Sequence, residues 1–476
     1  MAKLKSIIKQ LSKQDYEILY SNLMESGADK SALLLQMMYQ EKSSDSKIMK
    51  DLGVNSNAYY TLRSRLNQKI EEYLLEQVEN PRADLLKKVA NIPEIFFTKK
   101  RTIVIATLKK LEKELLDYDL SNELTVVYKS LKRLHTHTPE YFTYSQLYNK
   151  HIAYMLSVDK VESLISDYFR KYGSYLFSSN ETEKLEITLI NKELISVKNL
   201  YDSHRLYVYQ SCVGIFHRLF VEENESMDEE PIENILARVQ QIFDMYQMDT
   251  IYHHLKIVFE YLKLEYYNRY KVYRKAEDYF DEVNDSVSAL MSNYTLHTYP
   301  ARFLFTKLER SLRLGIQHEL YTENGMLFQE FEIDMDDVPN YVSYVAYRAL
   351  SCYYAEKYEE ASKWINNLLN EVSVKKYPYA LLEIKIILAI QYAIMEDNDL
   401  LNQLLGSIQR QIRLLGKQNC LYAAVFVKVI KLMSSQGKSE KPDKGKALLE
   451  KALAFKRTGF APTSYIRIDE KFFKIK

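Results

Sequence analysis

Few residues in this chain stand at spacings that could do chemistry. Two close histidine pairs, His135-Thr136-His137 and His253-His254, are candidates for metal ligation, because neutral imidazole is a common ligand. Helix positions one or two apart point in different directions, so neither pair makes a natural chelate. Cys212, Cys352 and Cys420 lie far apart in apolar runs. That pattern predicts reduced, buried thiols in place of zinc ligands or a disulfide framework. Gly437-Lys438-Ser439 matches the end of a phosphate-binding loop, but Leu432 stands where the first glycine is required. The Asp-rich stretch EIDMDDVPN before Tyr341 lacks the central Gly and final Glu of a calcium-binding loop. There is no Gly-x-Gly-x-x-Gly and no His-Glu-x-x-His. Acid pairs abound but single out no general acid or base. The expectation is a non-enzymatic protein with no cofactor and no metal.

Composition says what must hold these residues in place. Across 476 residues there are only 11 Gly and 9 Pro, fewer turn residues than a strand-rich fold needs, while 47% hydrophobic content is ample for a core. The fold class is therefore all-α. Tyrosine is abundant, at 40 residues against one Trp. It serves mainly as an amphipathic packing residue, ring inward and hydroxyl toward water, with an aromatic peptide groove as the sharper alternative. A net charge of +1 gives no global attraction to nucleic acid or anionic membrane. The opening MAKLKSIIKQLSKQD has no apolar signal core, and no segment approaches the roughly 20 apolar residues needed to span a bilayer. These features predict a cytoplasmic protein without membrane association.

Ser343–Leu369 reads as two amphipathic helices meeting at a tight turn. Val345, Ala349 and Cys352 share one stripe, and Ala361, Ile365 and Leu368 share another at i, i+4 and i+7. Small Ala349 and Ala361 let the backbones approach, and Tyr358 wedges the turn. Ala349, Cys352, Glu356, Tyr358, Ala361, Ile365 and Leu368 follow the order of a tetratricopeptide repeat, which this hairpin resembles. Leu264–Val283 is similar, with Tyr267, Tyr273, Ala276, Phe280 and Val283 in corresponding places. Both depart from the family pattern: Glu356 and Lys271 replace the turn Gly, the early Trp is missing, and no Pro closes either unit. The resemblance implies a right-handed superhelical solenoid of antiparallel helix pairs, with a concave face that receives a peptide or protein. On that face it places Tyr347, Leu350, Tyr353 and Tyr354 in one hairpin. In the other it places Tyr261, Glu265, Asn268 and Arg269. The polar clamp that some family members use for a terminal carboxylate is not matched, because Ala346 and Leu350 occupy its places.

Residues 1–80 read as a small helical module, with Ser12 capping a first helix that Gly27 stops. Within it, residues 44–70 resemble the helix-turn-helix of region 4 of bacterial sigma factors. A short helix with Ile48 and Leu52 inward ends at Gly53, Val54 plugs the corner, and Asn55 or Ser56 caps a long helix carrying Tyr59, Leu62 and Leu66. The resemblance implies base contacts from Ser56, Asn57, Tyr60 and Arg63, and phosphate contacts from Lys47, Lys50 and Arg65. The same arrangement also closes a bundle or caps a solenoid without touching DNA.

Pro81 ends that module. Residues 81–456 then read as helical hairpins, including Ile95–Asp117 with Ser121–Leu134 and Glu140–Ser157 with Lys160–Phe177. Further expected helices include Tyr273–Ala289, Leu320–Phe331 and Ala447–Phe455. The acidic run Val221–Asn234 and the polar run Ser434–Lys446 read as connections. Residues 457–476 form a C-terminal tail in which Phe472 and Phe473 could dock on the last hairpin.

Overall fold

A computed structural model describes Leu4, Ile8, Leu11 and residues 13–40, 45–54, 56–77, 81–222, 230–246, 249–329, 331–434, 441–455 and 459–468. Ser12, Asn55, Phe472, Phe473, residues 223–229 and residues 435–440 lie outside them, and with them the expectations placed there. The described residues contain α-helices and short 3-10 turns and no strand. The helices are α1 (Lys13–Glu25), α2 (Asp29–Gln40), α3 (Asp45–Asp51), α4 (Ser56–Gln77), α5 (Pro81–Ala90), α6 (Ile92–Thr98), α7 (Arg101–Asp117) and α8 (Ser121–Leu134). Next come α9 (Glu140–Ser178), α10 (Glu181–Leu200), α11 (His204–Phe220), α12 (Ile232–Met245), α13 (Thr250–Arg269), α14 (Tyr273–Asp285), α15 (Val287–Asn293) and α16 (Ala301–Leu314). The last are α17 (Leu320–Leu327), α18 (Val338–Tyr354), α19 (Tyr358–Glu371), α20 (Pro378–Ile394), α21 (Asn398–Leu415), α22 (Leu421–Ser434) and α23 (Lys441–Leu453). The chain divides into two compact units, residues 1–158 with 240–256, and residues 159–239 with 257–476.

In the first unit, α1 to α4 close around Leu19, Leu23, Leu34, Leu35, Ile48, Tyr59, Leu66 and Ile70. Gly53 turns the chain between α3 and α4 at φ +62°, and the Val54 amide donates to the Met49 carbonyl at 3.1 Å. Glycine suits that left-handed corner because a side chain would crowd the carbonyl. A second cluster joins Leu108, Leu111 and Leu115 of α7 to Leu124, Val127 and Leu131 of α8.

In the second unit, successive helices pack as neighbouring pairs: α10 with α11, α18 with α19, α20 with α21, and α22 with α23. The hairpin that opened the repeat argument forms as expected. Ala349, Cys352, Ala361, Ile365 and Leu368 are all fully buried where α18 meets α19. α18 is apolar nearly all round, as a helix must be when it packs against α16, α17, α19 and α20.

One turn geometry recurs. Asp119, Ser179, Lys271, Glu356 and Glu396 each take positive φ, between +52° and +63°, two residues before the next helix begins. At four of these turns the following amide reaches back to a carbonyl in the last turn of the preceding helix: Leu120 to Leu115, Val272 to Tyr267, Lys357 to Cys352 and Asp397 to Tyr392. These bonds satisfy carbonyls that the helix end leaves open. Thus Lys271 and Glu356 hold left-handed turn positions although neither is glycine.

Several expected boundaries are corrected. Glu140–Ser157 and Lys160–Phe177 are one continuous helix of 39 residues, because Val158-Asp159 supplies no Gly or Pro to interrupt the backbone ladder. Ile95–Asp117 is instead two helices, since Lys100 is extended at φ −60°, ψ 140°. Pro81 starts α5, a position where its missing N–H leaves no intrahelical bond unmade. Tyr273–Ala289 breaks at Ser286, Leu320–Phe331 stops at Leu327, and the last helix starts at Lys441 within the run read as a connection.

Candidate functional site

The site is a cleft of about 1060 Å³ in the second unit. Its walls are the C-terminal ends of α9, α11 and α13, one face of α16, and the segment from Gly459 to Tyr465. The volume lies just above the roughly 300–1,000 Å³ spanned by small-molecule pockets. Glu265, Asn268 and Arg269 are among the residues that line this cleft.

Burial shapes its charges. Glu265 is 5% exposed and accepts a hydrogen bond from the Thr306 hydroxyl at 2.8 Å. Desolvation pushes its carboxyl up to about 7, against the opposing pull of the Arg302 guanidinium and the Thr306 hydroxyl. Arg302 donates from one terminal nitrogen to the Tyr172 hydroxyl at 3.0 Å and lies 4.1 Å over the Phe220 ring. Its Nε is buried without a hydrogen-bond partner among the described residues. At the rim, Arg313 stacks 3.7 Å over Tyr273, while Arg269 and Lys271 are exposed. Glu222 and Glu309 add negative charge, so the wall is mixed in sign.

Beside the cleft, residues 459–468 contact α9, α16, α18 and α20. Gly459 has φ +79°, and a Cβ there would strike the Leu176 carbonyl and the Ser179 hydroxyl. Only glycine fits that approach. The Phe460 amide donates to the Leu176 carbonyl at 2.8 Å, and its ring stacks on Phe177 with centroids 4.3 Å apart. Pro462–Tyr465 forms a 3-10 turn whose Thr463 amide and hydroxyl both donate to Glu383 of α20. Tyr465 stacks on Phe305 of α16, with centroids 5.6 Å apart.

Tyr353 and Tyr354 of α18 read the backbone of this segment. The Tyr354 hydroxyl donates to the Tyr465 carbonyl and accepts from the Arg467 amide. The Tyr353 hydroxyl donates to the Arg467 carbonyl at 2.8 Å. Burial pushes the Tyr354 phenol up to about 12, so it keeps its proton at neutral pH. Ile466 and Ile468 are buried.

The remaining groove candidates lie in the core. Tyr261 and Tyr347 are fully buried; their hydroxyls donate to the Tyr299 carbonyl and to Asn324 Oδ1. Leu350 is fully buried as well. On a helix packed on every side, the stripe assigned to a groove is taken up by neighbouring helices. Sequence reasoning did not single out Phe460, Thr463, Tyr465, Glu383, Arg302 and Phe305. Gly459 and Pro462 beside aromatic residues were the local signal of an ordered segment.

In the first unit, Lys47, Lys50 and Arg65 are exposed and Arg63 is half-buried. Ser56, Asn57 and Tyr60 stand in the first turns of α4, and their side chains lie outside the described residues. No group of three or more His, Cys, Asp or Glu among the described residues is arranged to hold a metal ion. No helix among them is long and apolar enough to cross a membrane. Compared with protein-family models, curated proteins and solved structures, the chain matches none.

Proposed function

We propose that the chain is a non-enzymatic, cytoplasmic interaction protein. In this reading its paired helices form a tetratricopeptide-like solenoid whose concave face holds a peptide or protein segment. One observation supports the proposal: residues 459–468 lie across α9, α16, α18 and α20, and the side chains of Tyr353, Tyr354 and Glu383 bond to their backbone groups. A surface that reads carbonyls and amides through side chains recognises main chain as such, and its aromatic contacts select side chains. The test is an array of random decapeptides probed with the full chain and with Tyr354→Phe and Glu383→Gln variants. Bound peptides that both variants lose support the face; peptides bound equally by all three chains overturn it.

A second reading, DNA binding through residues 44–70, is favoured by the corner at Gly53 with Lys47, Lys50 and Arg65 exposed around it. Lysine and arginine in those places would grip phosphates. A low-salt mobility shift with pooled genomic fragments tests it: a shift lost in a Lys50→Ala, Arg65→Ala chain supports it, and no shift at micromolar protein removes it.

A further inference from the structure

We infer that the segment 459–468 is a resident occupant of a partner-binding groove, displaced when a peptide of matching chemistry binds. The inference rests on the peptide-binding reading and deepens it by naming what competes for the face and what the partner carries.

Three observations lead there. The segment contributes no helix to the paired-helix architecture, and its ordered contacts are those a foreign peptide could also make. Tyr353 and Tyr354 bond to main-chain carbonyls and an amide, groups that every peptide supplies. The selective contacts are few: the Phe460 ring on Phe177, the Thr463 hydroxyl on buried Glu383, the Tyr465 ring on Phe305, and buried Ile466. They fall at i, i+3, i+5 and i+6. Finally, the segment forms one wall of the cleft that holds Glu265, Asn268, Arg269 and Arg302. A longer partner would find its first contacts there, before it reaches the seat.

The partner is therefore a segment able to take the same 3-10 turn, with an aromatic residue, a Ser or Thr three positions later, a second aromatic at the fifth and an aliphatic residue at the sixth. A segment tethered to its own seat acts at an effective concentration of about 1 mM. Against a free peptide that binds the empty seat at about 10 μM, that tether weakens apparent affinity on the order of 100-fold. Gly459 is the place to release it, because the residue is exposed and any Cβ collides with the Leu176 carbonyl.

The experiment titrates a fluorescent peptide of the sequence GFAPTSYIRI with full-length chain, reading anisotropy for the native protein and for Gly459→Val. The expected result is binding at least about tenfold tighter to Gly459→Val, reversed when Glu383→Gln or Tyr354→Phe is added. Equal affinity of both chains, still sensitive to Glu383→Gln, overturns the resident occupant while the peptide-binding face stands. No binding by either chain, with helical circular dichroism intact, overturns both. If Gly459→Val loses helical signal, Thr463→Val replaces it with the same expectation. Light scattering runs in parallel: a doubled mass for the native chain that Gly459→Val abolishes would make the occupant the tail of a second copy and overturn the proposal.

Discussion

The carboxylate of Glu383 accepts both the amide and the hydroxyl of Thr463, at 3.1 and 2.6 Å, across 80 residues of sequence. Both residues are buried, at 1% and 0% exposure, so these bonds form where water does not reach. Hydrogen bonds to a charged group contribute about 1.5–3 kcal/mol each, because the unpaired charge remains desolvated when a donor is lost. Thr463→Val removes the hydroxyl and keeps the shape. It is expected to loosen the tail by about 2 kcal/mol, whereas Thr463→Ser keeps the donor and should stay close to native. The Arg467 amide, bonded to the Tyr354 hydroxyl, reports this directly. Its hydrogen exchange should speed up roughly 30-fold in Thr463→Val, taking 1.4 kcal/mol as tenfold. Unchanged exchange would mean that Thr463 does not hold the tail.

The left-handed turns make a prediction of the opposite sign. Lys271 and Glu356 are exposed and hold φ of +57° and +59°. A left-handed residue with a Cβ is strained by roughly 1–2 kcal/mol, while glycine loses about 0.5–1 kcal/mol of additional chain entropy on folding. Lys271→Gly and Glu356→Gly should each stabilise the second unit by about 0.5–1 kcal/mol. Glu356→Val, branched at Cβ, should destabilise it. Thermal midpoints in one buffer decide the matter, and a lower midpoint for both glycine variants would count against the strain argument.

Much of the helical architecture was legible because its determinants are local. The spacing of Ala349, Cys352, Ala361, Ile365 and Leu368 placed all five in the buried seam between α18 and α19. What failed was reading breaks from mild polarity: Val158-Asp159 continues α9, while Lys99-Lys100, also free of Gly and Pro, separates α6 from α7. Backbone breaks of that kind depend on tertiary packing, which local spacing does not encode. The candidate site was legible by half. Glu265, Asn268 and Arg269 come from one helix end, so their periodicity brought them together. The seat of Phe460, Thr463 and Tyr465 joins residues far apart in sequence, and no spacing rule reaches across such distances.

Lys307 sets up an asymmetry. Its side chain is 2% exposed and its ammonium lies 3.0 Å from Glu323, which is 34% exposed. Burial lowers its proton affinity, and Glu323 works against that shift. Removing Glu323 strands a buried cation, whereas Lys307→Met replaces that cation with an apolar side chain of similar length. Glu323→Ala is expected to destabilise the second unit by about 3 kcal/mol and Lys307→Met by much less. The Asn284 amide also donates to Glu323 at 2.7 Å, so Glu323→Gln should fall between them. Urea unfolding of the four proteins ranks them, and a Lys307→Met chain less stable than Glu323→Ala would reverse the argument.

Two buried groups give the second unit opposing responses to pH. Glu265, its carboxyl pushed up to about 7 from an ordinary 4.5, binds its proton more tightly folded than unfolded. Its contribution is therefore fully present below about pH 4.5 and is lost as pH rises toward 7. His217, whose Nδ1 lies 2.9 Å from the Tyr168 hydroxyl, is held down to about 4 from 6.5 by burial and by nearby Lys184. It folds neutral, so its contribution is present above about pH 6.5 and is lost as pH falls toward 4. Each displacement corresponds to roughly 3 kcal/mol between the ends of its window. Glu265→Gln should thus raise the thermal midpoint at pH 8 relative to the native chain, with little gain at pH 5. His217→Gln should flatten the loss on the acid side and leave the slope above pH 6.5 unchanged. Thermal midpoints of the three proteins from pH 4.5 to 8.5 measure both effects. A Glu265→Gln profile parallel to the native one would show that this carboxylate ionises in the folded protein as it does in water.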